Sequence, residues 1–331
     1  MRLFVSAVLP LIALAFAGCN CGRPGAGEAA AAEPDAATAS FQFTYKAAVT
    51  EVPEGAEKVR LWLPVPGNSP DQQISDVTIT SSHGSGVVNP VSSGIGNSVY
   101  FESAGEPIEA TVTFTVTRAE TSGGGKASAA ELSTALGPQQ FIPLDGKVSS
   151  VAASLITPNN DSVKTGRILY DHTLERMYYA KPETGDWGRG DAEWACDNKY
   201  GNCTDFHSYF IGLARSKGVP ARFEMGFPIP NAEAGETAKV KGYHCWAWFW
   251  AGGDRGWVPV DISEADKHPE LAEYYFGNLD EWRVMMVGGR DLVLDPAPAN
   301  GPLNLFVYPY CEVDGVVHGQ VTKSFSRTLV H

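Results

Sequence analysis

A glycine turn leads into a predicted helix in residues 201–222, GNCTDFHSYFIGLARSKGVPAR. The apolar residues at helical spacing are Phe206, Phe210, Leu213 and Ala214, with Gly218 and Pro220 as the stop signal. Cys203 is therefore expected at the helix N-terminus. Unpaired N–H groups and the helix dipole favour a thiolate there, which makes a cysteine nucleophilic. An inert core cysteine at a helix start is the alternative interpretation.

A second stretch, residues 242–263, has the alternation of a β-hairpin: GYHCWAWFWAGGDRGWVPVDIS. Gly252 and Gly253 are expected to form a two-residue turn. That register places His244 directly opposite Asp261 on one face, with Cβ atoms about 5 Å apart. The carboxylate can then hold one imidazole nitrogen and leave the other free.

Cys203, His244 and Asp261 supply a nucleophile, a base and an orienting group in chain order. The chain closely resembles the transglutaminase-like superfamily, a branch of the papain-like cysteine fold. The segments that carry the resemblance are GNCTDFH at 201–207, GVPAR at 218–222, YHCWAWF at 243–249 and GWVPVD at 256–261. The resemblance implies that Cys203 is the nucleophile, His244 the general base and acid, and Asp261 the orienting carboxylate.

The chain has 331 residues, of which 44% are hydrophobic and 19% are charged. This length and composition predict a soluble globular protein with room for two domains. Its formal net charge of −13 argues against a nucleic-acid or anionic-membrane surface, because neither would be attracted. We find no nucleotide-binding loop and no EF-hand pattern, so we expect no required cofactor.

The N-terminus has the pattern of a bacterial signal peptide over residues 1–18, with Arg2 followed by an apolar run. Cys19 resembles a lipoprotein processing site, which implies lipidation, although Phe16 departs from the usual leucine and leaves ordinary cleavage open. Residues 19–40 are rich in Ala, Gly and Pro and predict a flexible spacer. We therefore expect an exported protein, lipid-anchored at the periplasmic or outer face of a bacterial membrane.

The expected fold class is α+β, with an immunoglobulin-like β-sandwich at 41–120 and a linker at 121–146. A papain-like transglutaminase core would follow at 147–331, in which a helix-borne Cys packs on an antiparallel sheet carrying His and Asp. Helices are expected at 147–156 and 162–179. The C-terminal strands are expected to complete the sheet that carries His244 and Asp261.

An oxyanion donor is required beside the Cys203 N–H, since acyl chemistry needs its developing charge stabilised. Trp187, Trp194 and Tyr200 are the candidates, and the sequence does not choose among them. His207 lies one turn beyond Cys203 and is expected to be a hydrogen-bonded core histidine. Asp205 is expected to cap the helix.

Three further cysteines leave disulfide pairing open: Cys196, Cys245 and Cys311. Cys245 is expected to face away from the catalytic surface, because neighbouring strand residues point to opposite faces. Trp246, Trp248 and Trp250 are expected to form a packed sheet face rather than a substrate platform. A zinc site built from Cys203, Cys196, His207 and His244 is a rival interpretation without supporting C-x2-C spacing, and no metal is expected.

The expected activity is that of a transglutaminase-like cysteine acyl transferase or hydrolase, acting on peptide or side-chain amides through a thioester. Water would give a protease or amidase, and an amine would give transglutamination. Peptide or protein amides, including cell-wall peptide, are the expected partners, with no nucleic acid and with membrane contact through a lipid anchor only. The alternative is a catalytically silent binding or scaffold domain that retains the fold. The sequence leaves oligomeric state open.

Overall fold

The computed structural model of the chain describes residues 36–156, 161–230, 233 and 235–330. The predicted signal peptide, Cys19 and most of the predicted spacer lie outside these residues. Among the residues described, no helix combines the length and apolar character needed to cross a membrane.

The helices agree with the predicted positions where the apolar spacing was clear. They are α1 (Ala129–Leu136), α2 (Lys147–Leu155), α3 (Ser162–Arg176), α4 (Ala192–Asn198), α5 (Cys203–Ser216), α6 (Ile262–Lys267) and α7 (Ala272–Tyr275). Short 3₁₀ turns occur at Gly253–Arg255 and Pro269–Leu271. Helix α5 is buried over Cys203–Arg215 and packs against α2, α3, α4 and the sheet behind it, which makes it the central helix.

The strands form three main antiparallel sheets and one short parallel pair. In chain order they are β1 (Thr38–Val49), β2 (Val59–Val65), β3 (Gln72–Ser81), β4 (Val87–Pro90), β5 (Asn97–Ser103), β6 (Glu109–Ala119), β7 (Tyr178–Tyr179), β8 (Tyr200–Gly201), β9 (Ala221–Pro228), β10 (Thr237–Val240), β11 (His244–Trp250), β12 (Trp257–Val260), β13 (Arg283–Gly288), β14 (Tyr310–Val313), β15 (Val316–Val317) and β16 (Val321–Leu329). The chain thus mixes helices and sheets, as the α+β prediction requires.

The sheet behind α5 has the strand order β12-β11-β9-β13. One side of β11 carries Cys245, Ala247 and Phe249 into the core that includes α5. The opposite side carries Trp246 and Trp248 into a second apolar cluster with Trp257 and Met285. The tryptophans are therefore a packed sheet face, as predicted.

The other two sheets have the strand orders β10-β16-β1-β6-β3 and β15-β14-β2-β5-β4. Strand β1 shows why they form, because its alternating residues Phe41, Phe43 and Tyr45 are fully buried and their neighbours are not. The expectation that the C-terminal strands join the sheet of His244 is wrong, since β14 pairs with β2 and β16 pairs with β1. Local alternation specifies a strand but not its partner. An immunoglobulin-like arrangement of 41–120 remains a prediction, because these sheets also take strands from later in the chain.

The β11–β12 hairpin differs from the predicted register. Trp250 pairs with Trp257, so the connection spans six residues and includes a 3₁₀ turn rather than two glycines alone. The cause is a contact from the segment predicted as linker: Gly124 and Trp257 exchange backbone hydrogen bonds of 2.8 and 2.9 Å. A turn rule based on neighbouring residues cannot include such a distant partner.

The register is displaced by two residues, which keeps every side chain on its predicted face. His244 is consequently not directly opposite Asp261. Asp261 lies just beyond β12 and is the N-cap of α6.

Candidate active site

Cys203 is the first residue of α5, and its position is set by the residues around it. Asn202 is the N-cap, and its Oδ1 accepts a hydrogen bond from the Thr204 N–H at 2.9 Å. Asp205 completes a capping box by accepting from the Asn202 N–H at 3.0 Å. The Cys203 N–H, by contrast, has no acceptor among the described residues. The helix thus presents its nucleophile candidate beside a free backbone donor.

Asp205 also ties the preceding loop to the helix, so its predicted capping role is confirmed and extended. Its carboxylate accepts from the N–H groups of Gly188 at 2.6 Å and Gly190 at 3.0 Å. Burial raises the pKa of Asp205 to about 6, against the lowering effect of these backbone donors. The loop that leads to the nucleophile is therefore held at both glycines.

His244, at the start of β11, lies between Cys203 and Asp261. Its Nε2 is 2.7 Å from Oδ2 of Asp261, and the Cys203 thiol lies close enough to its ring to help raise the pKa of His244. Because Asp261 occupies Nε2, Nδ1 is the nitrogen that remains for the thiol. The exposed fractions are 2% for Cys203, 5% for His244 and 0% for Asp261, so the three groups interact largely screened from water.

Asp261 accepts hydrogen bonds from donors besides His244. Arg283 donates to Oδ2 at 3.0 Å, and the Glu264 N–H donates to Oδ1 at 3.2 Å. Burial alone would raise the pKa of Asp261, but the charges and hydrogen bonds of His244 and Arg283 hold that pKa well below its usual range. Asp261 is therefore a carboxylate at neutral pH.

These contacts determine the protonation states of His244 and Cys203. Burial lowers the pKa of His244, but the charge and hydrogen bond of Asp261, helped by Cys203, outweigh it and raise that pKa to about 10. Burial raises the pKa of Cys203, but hydrogen bonds from Cys245 and His244 and the charge of His244 lower that pKa well below the ordinary thiol value. The pair is thus a thiolate facing an imidazolium at neutral pH.

His207 is a fully buried histidine that connects α5 to α6, as the core interpretation expects. Its Nδ1 lies 2.7 Å from the Cys203 carbonyl oxygen, and its Nε2 accepts from the Ile262 N–H at 3.0 Å. Nδ1 therefore carries the proton. Burial lowers the pKa of His207, which agrees with a neutral ring.

Cys245 is not where the sequence placed it. The prediction that it faces away from the catalytic surface is wrong: its thiol lies 3.6 Å from Thr204 Oγ1, in the first turn of α5, and is close enough to Cys203 to lower the pKa of Cys203. Strand alternation does point it away from His244, but the other face of β11 is the one that α5 covers. All four cysteines of the described residues are free thiols.

In the described part of the chain, none of the oxyanion candidates from the sequence forms a hydrogen bond with Cys203. The Trp187 indole N–H already donates to the Pro182 carbonyl at 2.9 Å. Trp194 packs edge-on against Tyr200 with ring centroids 5.2 Å apart. Their catalytic role stays a prediction without a supporting contact.

The residue that sequence reasoning missed is Tyr243. Its hydroxyl is 2.9 Å from both Asn202 Nδ2 and Thr204 Oγ1, the side chains on either side of Cys203. Alternation along the hairpin could not have found it, because alternation places Tyr243 on the same side as Cys245, the side expected to face away from the catalytic surface.

The residues that lie close enough together to bind a metal ion are not the four that the zinc hypothesis names. Within the described ranges, the group whose ligand atoms lie within 4.8 Å of one another is His244, Asp261 and Glu264. Of the four proposed zinc ligands it shares only His244. His207 has both ring nitrogens engaged.

Comparison with known proteins supports the family resemblance. Residues 149–262 match the model of the transglutaminase-like superfamily, a span that includes Cys203, His244 and Asp261. The described chain therefore carries a transglutaminase-like core, with its helix-borne Cys packed on an antiparallel sheet. The resemblance stated from the sequence is confirmed over this span.

Two curated relatives are uncharacterized proteins. One, from Haemophilus influenzae, is 31% identical over 207 residues, 53% of this chain and 55% of the relative. Another, from Mycobacterium leprae, is 27% identical over 168 residues, 50% of this chain and 53% of the relative. The chain thus spans about half the length of the curated relatives it matches.

Two solved structures align with the chain to different extents. A Cytophaga hutchinsonii protein proposed to be a cysteine protease aligns with a TM-score of 0.54 and 15% identity, covering 87% of this chain and 98% of that one. The periplasmic domain of TgpA from Pseudomonas aeruginosa aligns with a TM-score of 0.36 and 15% identity, covering 71% of this chain and 90% of that one. The first of these shows that the described chain shares the fold of that protein.

Proposed function

We propose that the protein is a cysteine-nucleophile enzyme that transfers or hydrolyses acyl groups of amides, with Cys203, His244 and Asp261 as its catalytic residues. The observation that carries the proposal is the position of His244, between the free thiol at the N-terminus of α5 and the carboxylate 2.7 Å away. The pKa shifts of Cys203 and His244 supply a nucleophile and an acid at the same pH.

The first half-reaction follows from these positions. The Cys203 thiolate attacks the amide carbonyl carbon, a C–S bond forms, and the C–N bond breaks as His244 gives its proton to the leaving amine. Asp261 keeps the ring oriented and stabilises the imidazolium beforehand. The product is a thioester on Cys203 and a neutral His244.

The second half-reaction regenerates the site. His244 takes a proton from water or from a primary amine as that nucleophile attacks the thioester carbon, and the C–S bond breaks to release the thiolate. Water gives a protease or amidase and an amine gives a transglutaminase. Both outcomes use the same three residues.

The test uses two probes that need no knowledge of the natural substrate. p-Nitrophenyl acetate should acetylate Cys203, with release of nitrophenolate, and iodoacetamide at neutral pH should label Cys203 faster than a free thiol. Cys203→Ala should abolish the acetylation. A scaffold protein would give neither an acetyl adduct on Cys203 nor accelerated labelling.

Casein then distinguishes the outcomes. Mass spectrometry of casein incubated with the protein, with and without putrescine, separates peptide cleavage, glutamine deamidation and amine incorporation by their mass changes. Cys203→Ala is again the control, since only changes that it abolishes belong to this site.

We propose further that the chain is exported and held at a membrane through lipid on Cys19, which makes periplasmic or cell-wall peptide amides the substrate class. The support is the leader pattern of residues 1–18. Fractionation of cells that express the full chain tests it: the protein should sediment with membranes, and Cys19→Ser should release it. Equal distribution of the two forms would contradict lipid anchoring.

A further inference from the structure

The Tyr243 hydroxyl contacts the side chains of the two residues that flank Cys203, in a hydrogen-bond network whose directions can be assigned. Asn202 Oδ1 is committed to the Thr204 N–H, so the amide group that faces Tyr243 is the donor Nδ2. The Tyr243 oxygen therefore accepts from Asn202 at 2.9 Å.

The Thr204 hydroxyl decides whether the Tyr243 oxygen accepts a second hydrogen bond. This hydroxyl is 2.9 Å from the Tyr243 oxygen and can donate to it, whereas the Cys245 thiol, 3.6 Å from Thr204 Oγ1, donates its hydrogen bond to Cys203. In that arrangement the Tyr243 oxygen accepts twice, and its own proton has no acceptor among the described residues. The network thus leaves one O–H free to serve another group.

Tyr243 is held in a fixed orientation. Its ring meets Tyr308 edge-on at 5.5 Å, and its backbone N–H donates to the Tyr308 hydroxyl at 3.3 Å. Burial, followed by the nearby charges of Cys203 and Cys245, raises the pKa of Tyr243. The phenol consequently keeps its proton over the working pH range.

We infer that Tyr243 is a catalytic residue whose hydroxyl donates a hydrogen bond to the oxyanion formed when Cys203 attacks a carbonyl, together with the free N–H of Cys203. This inference rests on the proposed function. A side-chain O–H held against the residues that flank the nucleophile, together with the nucleophile's own N–H, is the kind of donor pair that stabilises a tetrahedral intermediate. The oxyanion loses this stabilisation when the thioester forms, so the interaction acts on the transition state and not on the resting enzyme.

Tyr243→Phe removes only the hydroxyl and tests the inference. Acetylation of Cys203 by p-nitrophenyl acetate should slow by about 100-fold or more, the cost of losing one oxyanion donor. Alkylation by iodoacetamide forms no oxyanion, so its rate should stay at the wild-type value and also report an intact site. Tyr310→Phe is the matched control, because its hydroxyl binds Glu312 at 3.0 Å in β14 and should leave both rates unchanged.

The outcomes are distinguishable. If wild-type protein forms no acetyl adduct on Cys203, the proposed function itself fails. If wild-type protein is acetylated and Tyr243→Phe keeps pace with it, the proposed function stands and Tyr243 is not an oxyanion donor. Equal slowing of acetylation and alkylation in Tyr243→Phe would also overturn the inference, since the hydroxyl would then act on the thiol.

Discussion

Asp261 Oδ2 accepts a hydrogen bond from His244 Nε2 at 2.7 Å, although the two residues are not paired across the hairpin. Asp261 reaches the ring from the N-cap of α6, where its other oxygen accepts from the Glu264 N–H. One carboxylate thus fixes both the start of a helix and the orientation of the imidazole. Substitution of Asp261 should therefore change two quantities that can be measured separately: the free energy of unfolding and the pKa of Cys203.

Asp261→Asn should raise the pKa of Cys203. The mutation removes the negative charge that raises the pKa of His244 to about 10, so the imidazole loses its proton at a lower pH and no longer stabilises the thiolate. The pH at which iodoacetamide labelling of Cys203 reaches half its maximum should therefore move upward. Asp171→Asn, in a half-exposed pair with Arg167, is the control and should leave the midpoint in place. An unchanged midpoint in Asp261→Asn would contradict the role of Asp261.

Asp261→Ala should destabilise the fold by about 3–5 kcal/mol, because it leaves the buried Arg283 and His244 without their shared partner. Urea unfolding followed by tryptophan fluorescence measures the change in free energy of unfolding. Asp171→Ala removes an ion pair whose side chains are 36% and 41% exposed, and should cost about 1 kcal/mol or less. Similar losses for the two variants would show that Asp261 is not the centre of a buried network.

Acylation of Cys203 should have a bell-shaped pH dependence. On the acid side, the rate rises as Cys203 loses its proton, at a pH well below the ordinary thiol pKa because its own pKa is lowered. On the basic side, the rate of amide turnover falls near pH 10, where His244 loses the proton that the leaving amine needs. Alkylation by iodoacetamide requires no proton donor, so the rate of alkylation should not fall when His244 loses its proton. A basic limb near pH 6.5 instead would show an unperturbed histidine.

Cys245→Ala should slow the labelling of Cys203 at acidic pH. The Cys245 thiol donates a hydrogen bond that lowers the pKa of Cys203, so its removal should raise that pKa and shift the labelling midpoint upward. Cys311→Ala is the control, because Cys311 is equally buried in β14, away from α5. A midpoint that does not move in Cys245→Ala would exclude Cys245 from tuning the nucleophile.

The sequence was sufficient for the features that depend on neighbouring residues. The spacing of Phe206, Phe210 and Leu213 predicted α5, and the Gly201–Asn202 turn placed Cys203 at its start. Alternation predicted β11 and the face of His244. That face stayed as predicted although the register differed, because a displacement of two residues returns each side chain to the same face.

The features that the sequence did not predict depend on distant partners. The hairpin connection is fixed by Gly124, more than a hundred residues earlier, and β14 and β16 join the first strands of the chain. Cys245 was misplaced for a related reason: alternation gives two faces, and only the packing of α5 decides which face adjoins the nucleophile. Tyr243 was missed together with Cys245, because both lie on that face.

Gly190→Ala should destabilise the protein by more than backbone strain alone. Gly190 has a φ of +66°, and an added Cβ would lie 2.6 Å from Arg290 Nη1 and 2.7 Å from Thr204 Cγ2. Gly252 has a similar φ of +79° with nothing within 4 Å, so Gly252→Ala measures the strain by itself, about 1–2 kcal/mol. The crowding at Gly190 should add about 1–3 kcal/mol to the loss of unfolding free energy. It should also displace the Gly190 N–H, which donates a hydrogen bond to Asp205. Urea unfolding of both variants gives the difference, and labelling of Cys203 reports whether the start of α5 has shifted. Equal destabilisation with wild-type labelling would show that the loop before the nucleophile yields freely and does not position it.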